Sequence, residues 1–264
     1  MPEGHTIHRA ARRIRSVLGD KRLDRVEARG VHLVEAKARQ RLLGDTVTTV
    51  EARGKHLLIH TAGGWSIHSH LRMDGVWHLY RKGEPWKRPR RRAWLVLGAG
   101  EWDAVNFDGP ILELHRTEDL ARDRELLELG PDILVEPFDD AEYLRRMRRN
   151  GQREIGDAVM RQFIVAGIGN IYKSESLFMA GISPWRRVST LTDDKLLEIR
   201  QIASRIMYDG VLDARAITYR GPGPEGRWAY SRVGQPCRTC ATRIETRKQG
   251  EDQRSTFWCP RCQP

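Results

Sequence analysis

At 264 residues the chain is long enough for one large or two modest hydrophobic cores and too long for a single peptide-sized scaffold. Hydrophobic residues make up 39% and charged residues 31%, with no apolar run of the roughly 18 residues a spanning helix needs, so a membrane span and wholesale disorder are both excluded. Lys and Arg number 46 against 35 Asp and Glu, and the formal net charge of +11 favours a polyanionic partner such as nucleic acid without naming one.

Met1-Pro2-Glu3-Gly4-His5 lacks the apolar centre of a secretory signal, so export is not expected. Ile7, Ala10, Ala11, Ile14, Val17 and Leu18 follow the i, i+3, i+4, i+7 spacing of an amphipathic helix, which Gly19 is placed to end. From about Arg25 to Phe107 the pattern changes to short runs rich in β-branched and aromatic residues. His56–His60 and Trp65–Ile67 flank Gly63-Gly64 as one hairpin, and Trp94–Leu97 and Trp102–Phe107 flank Gly98-Ala99-Gly100 as another. Strands this short and this numerous predict a sandwich or barrel. Gly130-Pro131-Asp132 to Glu136-Pro137 reads as a connector, after which helical patterns run to about Leu212. Within them Ile155–Ile164 and Ile171–Ala180 are expected as two helices separated by Ala166-Gly167-Ile168-Gly169-Asn170, the second ended by Gly181 and Pro184. Arg220–Gly226 is rich in breakers and reads as a mobile loop.

Arginines and lysines cluster at Arg9/Arg12/Arg13/Arg15, at Lys87–Arg92 and at Arg145–Arg149. Each run alone is as well explained by a solvated face as by phosphate contact, and their joint presence favours the latter. The four cysteines all lie near the end of the chain, as Cys237-x2-Cys240 and Cys259-x2-Cys262, which leaves none for a disulfide framework. This spacing fits a zinc ribbon in which two knuckles complete a tetrahedron of thiolates. With every position taken by sulfur no site remains for an activated water, so the ion is expected to be structural. Arg243, Arg247, Lys248 and Arg254 lie between the knuckles, so the hairpin is expected to present positive charge where its tip could enter or flank a nucleic-acid groove.

The amino terminus carries a second chemistry. Removal of Met1 before a small residue leaves Pro2 with a free secondary amine, and an α-amino group titrates near pH ~8, so an appreciable fraction is nucleophilic at neutral pH. Attack on a sugar aldehyde carbon gives an iminium that acts as an electron sink for β-elimination of phosphate. Glu3 stands next in the chain to transfer protons.

Met1-Pro2-Glu3-Gly4, Gly54-Lys55, Gly167-Ile168-Gly169-Asn170-Ile171-Tyr172-Lys173-Ser174-Glu175-Ser176 and the tail from Arg254 through Cys262 to Gln263 together resemble, in order and over the whole chain, the formamidopyrimidine-DNA glycosylase and endonuclease VIII family. The resemblance implies an α+β fold: an N-terminal β-sandwich with a flanking helix over 1–130, a linker over 131–137, a helix-two-turn-helix domain over 138–230 and a four-cysteine zinc finger over 231–264. It implies a monomeric glycosylase and abasic-site lyase, without an organic cofactor, that acts on damaged double-stranded DNA in the cytoplasm, at the nucleoid. Pro2 would be the Schiff-base nucleophile, Glu3 its acid/base partner, and Lys55 the lysine beside the lesion phosphates, although an exposed strand-end lysine would read the same way. Asn170 and Arg254 would contact phosphate, Asn170 being otherwise a helix cap. Arg72 and Met73 in Ser69–Trp77 resemble the intercalation loop, with a buried core methionine as the alternative. The sequence departs from the family pattern at His5-Thr6, where many members have Pro-Glu, which removes a carboxylate near the nucleophile. The opening tetrapeptide and Val76-Trp77 lean towards the endonuclease VIII branch, which prefers oxidised pyrimidines.

Two other readings remain open at this stage. A non-catalytic zinc-ribbon protein that recognises damaged or abasic DNA explains the charge and the cysteines but gives Pro2 and Glu3 no role. A metal-dependent hydrolase could use His56, His60, His68 and His70, yet His68 and His70 share a strand face with no carboxylate partner evident in the sequence.

Overall fold

In a computed structural model, which describes residues 2–213, 215–222 and 224–264, the first periodic stretch forms helix α1 (Gly4–Leu18). Met1, at the head of the terminal motif, and Gly223, in the breaker-rich loop, lie outside the described residues, as does Ala214. Ile7, Ala11, Ile14, Val17 and Leu18 are buried on one face of α1, and each fully buried Ile or Leu contributes about 1.5–3 kcal/mol. That face lies against strands of two sheets.

The chain divides into two compact units, Met1–Leu127 and Glu128–Pro264. In the first, α1 is followed by β1 (Arg25–Ala28), α2 (Val31–Glu35), α3 (Ala38–Leu42), β2 (Val47–Arg53), β3 (His56–Thr61), β4 (Trp65–His70), β5 (Val76–Arg81), β6 (Ala93–Ala99), β7 (Trp102–Phe107), β8 (Ile111–Arg116), α4 (Thr117–Leu120) and α5 (Arg124–Leu127). Two antiparallel sheets, ordered β1-β6-β7-β5 and β2-β3-β4-β8, enclose a shared core that includes Val26, Val50, Leu57, Ile59, Ile67, Leu95, Leu97 and Leu112. This is the expected sandwich. The β6–β7 turn is tighter than the glycines suggested, since Ala99 pairs with Trp102 and only Gly100-Glu101 remain between the strands.

The second unit contains α6 (Asp140–Arg149), α7 (Ile155–Ala158), α8 (Asn170–Met179), α9 (Asp193–Leu212) and a terminal hairpin, β9 (Glu245–Gln249) with β10 (Arg254–Trp258). Asp139 caps α6 by accepting from the Glu142 amide, and Thr192 caps α9 by accepting from Lys195. From Asn170 to Phe178 every residue of α8 is buried, with α9 packed against it. The single helix expected over Ile155–Ile164 is not formed: α7 ends at Ala158 and turns follow. At about 100° per residue a straight helix would carry Ile164 to the side opposite Ile155, yet both are fully buried in the same cluster, so the chain has to turn. The breaker-rich loop is braced at its base, where Tyr219 bridges to Gly226 and its hydroxyl donates to the Pro222 carbonyl.

Candidate active site and nucleic-acid interface

The amino terminus is built into the first unit. Glu3 is the N-cap of α1, its carbonyl accepting from the Thr6 amide at 2.8 Å, and its side chain is fully buried. A carboxylate at a helix N-terminus gains from the positive end of the helix dipole, which offsets part of its desolvation. Pro2, just before it, is half-buried. His5 is buried one residue into the helix and its Nε2 lies 3.3 Å from the Thr6 hydroxyl, so the residues that replace Pro-Glu interact with each other. Lys55 is half-buried in the turn joining β2 to β3, after Gly54, whose φ of 59° favours glycine.

Strand pairing gathers histidines on one face of the β2-β3-β4-β8 sheet. His56 lies opposite His70, and His68 opposite Glu113. His56 Nδ1 and His68 Nε2 are 2.9 Å apart, His68 Nδ1 lies 3.5 Å from Glu113 Oε2, and His115 Nε2 lies 3.2 Å from the same oxygen. Burial, reinforced by neighbouring histidines and by the charges of Arg72 and Lys55, pushes His56 down to about 3. Burial and the same two cations hold His70 down at about 4, so both rings are neutral at pH 7. Glu113 is the carboxylate partner that the sequence did not reveal. Strand β8 brings it beside His68, and no local spacing announces a pairing between strands so far apart in sequence.

Leu71–Gly75 connects β4 in one sheet to β5 in the other. Arg72 has φ 48° and its amide donates to His70 Nδ1 at 3.1 Å, while a Cβ at Gly75 would stand 2.7 Å from the Leu71 carbonyl oxygen. The loop is thus tightly closed, with Leu71 anchored in the core and Arg72, Met73 and Asp74 exposed. Arg72 is exposed and Met73 is 55% exposed, so Met73 is not a core residue.

In the second unit, Gly167 with φ 103° and extended Gly169 bring the chain into α8, whose first residue is Asn170. Asn170 is buried, and its Nδ2 donates to the Ser255 carbonyl at 2.8 Å, next to Arg254 on β10. Lys173 Nζ donates to the Thr256 hydroxyl, which donates to Gln249 Oε1, and Gln249 Nε2 donates in turn to Glu154 and to the Pro184 carbonyl. This chain of bonds fixes the hairpin against α8 and α7, and Gly156 is required there because a Cβ would stand 2.3 Å from Gln249 Oε1. Arg254 is exposed and, among the described residues, forms no ion pair, whereas Arg247 stacks over Trp185 with its guanidinium carbon 3.6 Å from the ring centre. The exposed Arg247, Lys248 and Arg254 flank an acidic hairpin tip. It carries Glu251 and Asp252, which ion-pair with Arg153 and Arg161.

Sequence reasoning also missed the part played by Glu175. Buried in α8, it accepts from the amides of Trp228, Ala229 and Tyr230 at 2.7–2.9 Å and from the Thr218 hydroxyl, fastening the segment that leads to the cysteines. The four cysteines are free thiols whose sulfurs converge, with separations of 3.8 Å for Cys237–Cys262, 3.5 Å for Cys240–Cys259 and 3.4 Å for Cys240–Cys262. Tetrahedral zinc with Zn–S bonds of about 2.3 Å sets its sulfurs about 3.8 Å apart, so the four residues fit one structural zinc ion.

The basic clusters are partly neutralised from within. Arg88 and Arg92 pair with Asp108, Arg90 with Glu27, Arg145 and Arg146 with Glu142, and Arg148 with Asp193. Among the described residues no helix is long and apolar enough to cross a membrane.

Comparison with known proteins agrees with this layout. The sequence model of the formamidopyrimidine-DNA glycosylase N-terminal domain matches residues 1–108, that of the formamidopyrimidine-DNA glycosylase H2TH domain residues 129–220, and that of a zinc finger found in FPG and IleRS residues 234–264. The probable endonuclease 8 2 of Streptomyces coelicolor is 36% identical over 266 residues, spanning 100% of this chain and 94% of that protein. The DNA-(apurinic or apyrimidinic site) lyase Nei2 of Mycolicibacterium smegmatis is 36% identical over 267 residues, spanning 100% of this chain and 99% of that one. Among solved structures, Lactococcus lactis Fpg in complex with DNA containing an abasic site aligns with a TM-score of 0.80 over 99% of both chains at 23% identity, a likeness of fold.

Proposed function

The chain belongs to the formamidopyrimidine-DNA glycosylase family, and from that premise we propose that it is a bifunctional DNA glycosylase and abasic-site lyase of the endonuclease 8 branch, removing oxidised pyrimidines from duplex DNA. Two relatives matched over the full chain at 36% identity, a probable endonuclease 8 and an abasic-site lyase, support that branch. The protein works as a monomer on chromosomal DNA in the cytoplasm, with a catalytic domain over 1–130, a linker over 131–137, a helix-two-turn-helix domain over 138–230 and a zinc finger over 231–264.

The observation that carries the reading is the fully buried Glu3 carboxylate at the head of α1, directly after the half-buried Pro2. With Met1 removed, the Pro2 nitrogen attacks C1′ of the everted nucleotide and the C1′–base bond breaks, the departing base taking a proton. The C1′–O4′ bond then opens, O4′ taking a proton from Glu3, and the sugar is left as an iminium between C1′ and the Pro2 nitrogen. Loss of a C2′ proton then expels the 3′ phosphate, and a second elimination can expel the 5′ phosphate. Glu3 is the group that moves protons at the sugar.

The remaining residues bind and position. Lys55 and Arg254 meet the phosphates that flank the lesion, and Asn170 meets the backbone at the N-terminus of α8, where Gly169 adds no side chain to cover the helix end. Met73 fills the gap left in the stack, with Arg72 beside it against the opposite strand. The zinc ion holds the hairpin that carries Arg254 and takes no part in proton or bond transfer.

Borohydride reduction on a duplex with an abasic site tests the reading. The zinc-loaded, untagged protein is expected to become covalently attached to DNA, and a form whose amino terminus is blocked by a tag to lose that attachment while still binding the duplex. Binding without attachment by the unaltered protein would mean a damage-recognition protein and not an enzyme.

A further inference from the structure

The outer face of the β2-β3-β4-β8 sheet holds a group of side chains that the proposed chemistry does not use. His68 on β4 is 5% exposed, whereas Glu113 and His115 on β8 are 37% and 35% exposed, so the cluster has a buried floor and an open side. One donor atom from each lies within 4.8 Å of the others. The two contacts to Glu113 Oε2, 3.5 Å from His68 Nδ1 and 3.2 Å from His115 Nε2, bracket the donor separation of about 3.4 Å required by a tetrahedral ion with bonds near 2.0–2.1 Å.

We propose that His68, Glu113 and His115 form a second metal site, which takes a divalent transition-metal ion of the zinc class and lies in the amino-terminal unit, apart from the four cysteines. Two imidazoles and a carboxylate are a nitrogen and oxygen donor set suited to Zn2+ and poorly suited to the purely oxygen-seeking Mg2+ and Ca2+. Three protein donors leave a fourth position for water. Metal-bound histidines characteristically engage their second ring nitrogen in an outer hydrogen bond that fixes the tautomer. His68 has that bond in place: its Nδ1 faces Glu113 while its Nε2 meets His56 Nδ1 at 2.9 Å. His56 directly follows Lys55, so the outer hydrogen bond ends at the residue beside the proposed phosphate-binding lysine. The ion would tie β4 to β8 from outside the core. Its donors are partly exposed, so it should exchange more readily than the ion held by four thiolates.

Metal content of the full-length protein tests this directly. After equilibration with Zn2+ and removal of the unbound excess, the native chain is expected to hold two equivalents, the double variant Glu113→Gln/His115→Ala one, and a weak chelator should strip the second equivalent first. Added Zn2+ should raise the Tm of the amino-terminal unit in the native chain and leave that of the double variant unchanged. His56→Gln should weaken the second equivalent roughly 10–100-fold. One equivalent in the native chain, or two retained by a double variant that keeps its circular dichroism spectrum, would overturn the site, and an unchanged affinity in His56→Gln would overturn the outer role of His56.

Discussion

Glu3 follows the proposed nucleophile by one residue and is fully buried, so replacing its carboxylate by an amide removes proton transfer at nearly constant shape. Glu3→Gln is expected to slow base removal in single turnovers by on the order of 10²–10⁴-fold and to slow cleavage at a preformed abasic site much less, because the abasic sugar already opens to its aldehyde without a proton from Glu3. Equal losses on both substrates would contradict that division. Arg254 is exposed and, among the described residues, without an ion pair. Arg254→Ala should weaken duplex binding and lower the slope of log K against log salt by about 1, the signature of one lost phosphate contact; an unchanged slope measured by titration would reject it. The paired cysteines, whose meaning is local, were legible in the sequence. Glu113 was not, because it becomes a partner of His68 only through β4–β8 pairing, and Arg153 and Arg161 gave no sign that they would neutralise the hairpin tip.

Among the elements, α8 depends on partners supplied by other segments. Its buried Glu175 accepts from three amides of Trp228, Ala229 and Tyr230, so Glu175→Ala strands three donors in the interior. The loss should destabilise the second unit by about 3–5 kcal/mol, read from urea unfolding followed by tryptophan fluorescence; a change under about 1 kcal/mol would show that water replaces the carboxylate. Helix α1 and the two hairpins were readable because their periodicity coincides with their burial. Helix α7 was misread because Ile164 belongs to the same core as Ile155 from a different direction, and apolar spacing cannot show where a chain turns back. The role of Gly156 was equally hidden, being set by a side chain of the terminal hairpin.

For the whole molecule, the order of a sandwich, a helical unit and a zinc-bearing hairpin was visible from composition shifts and the cysteine spacing. The bonds that fasten the hairpin to α7 and α8 were not, since they join residues such as Lys173 and Thr256 across long stretches of chain. Strong chelation is expected to unfold the hairpin and abolish tight binding to abasic duplex, because thiolate ligation supplies much of the folding free energy of such small elements. Retention of full affinity without zinc would contradict this. Peptide mapping by mass spectrometry of the adduct captured on abasic DNA by borohydride locates the attacking nitrogen directly. The sugar remnant should be found on the nitrogen of Pro2, in a chain from which Met1 has been removed; a remnant on Lys55 or any other lysine, or activity from protein that still carries Met1, would contradict the proposed chemistry.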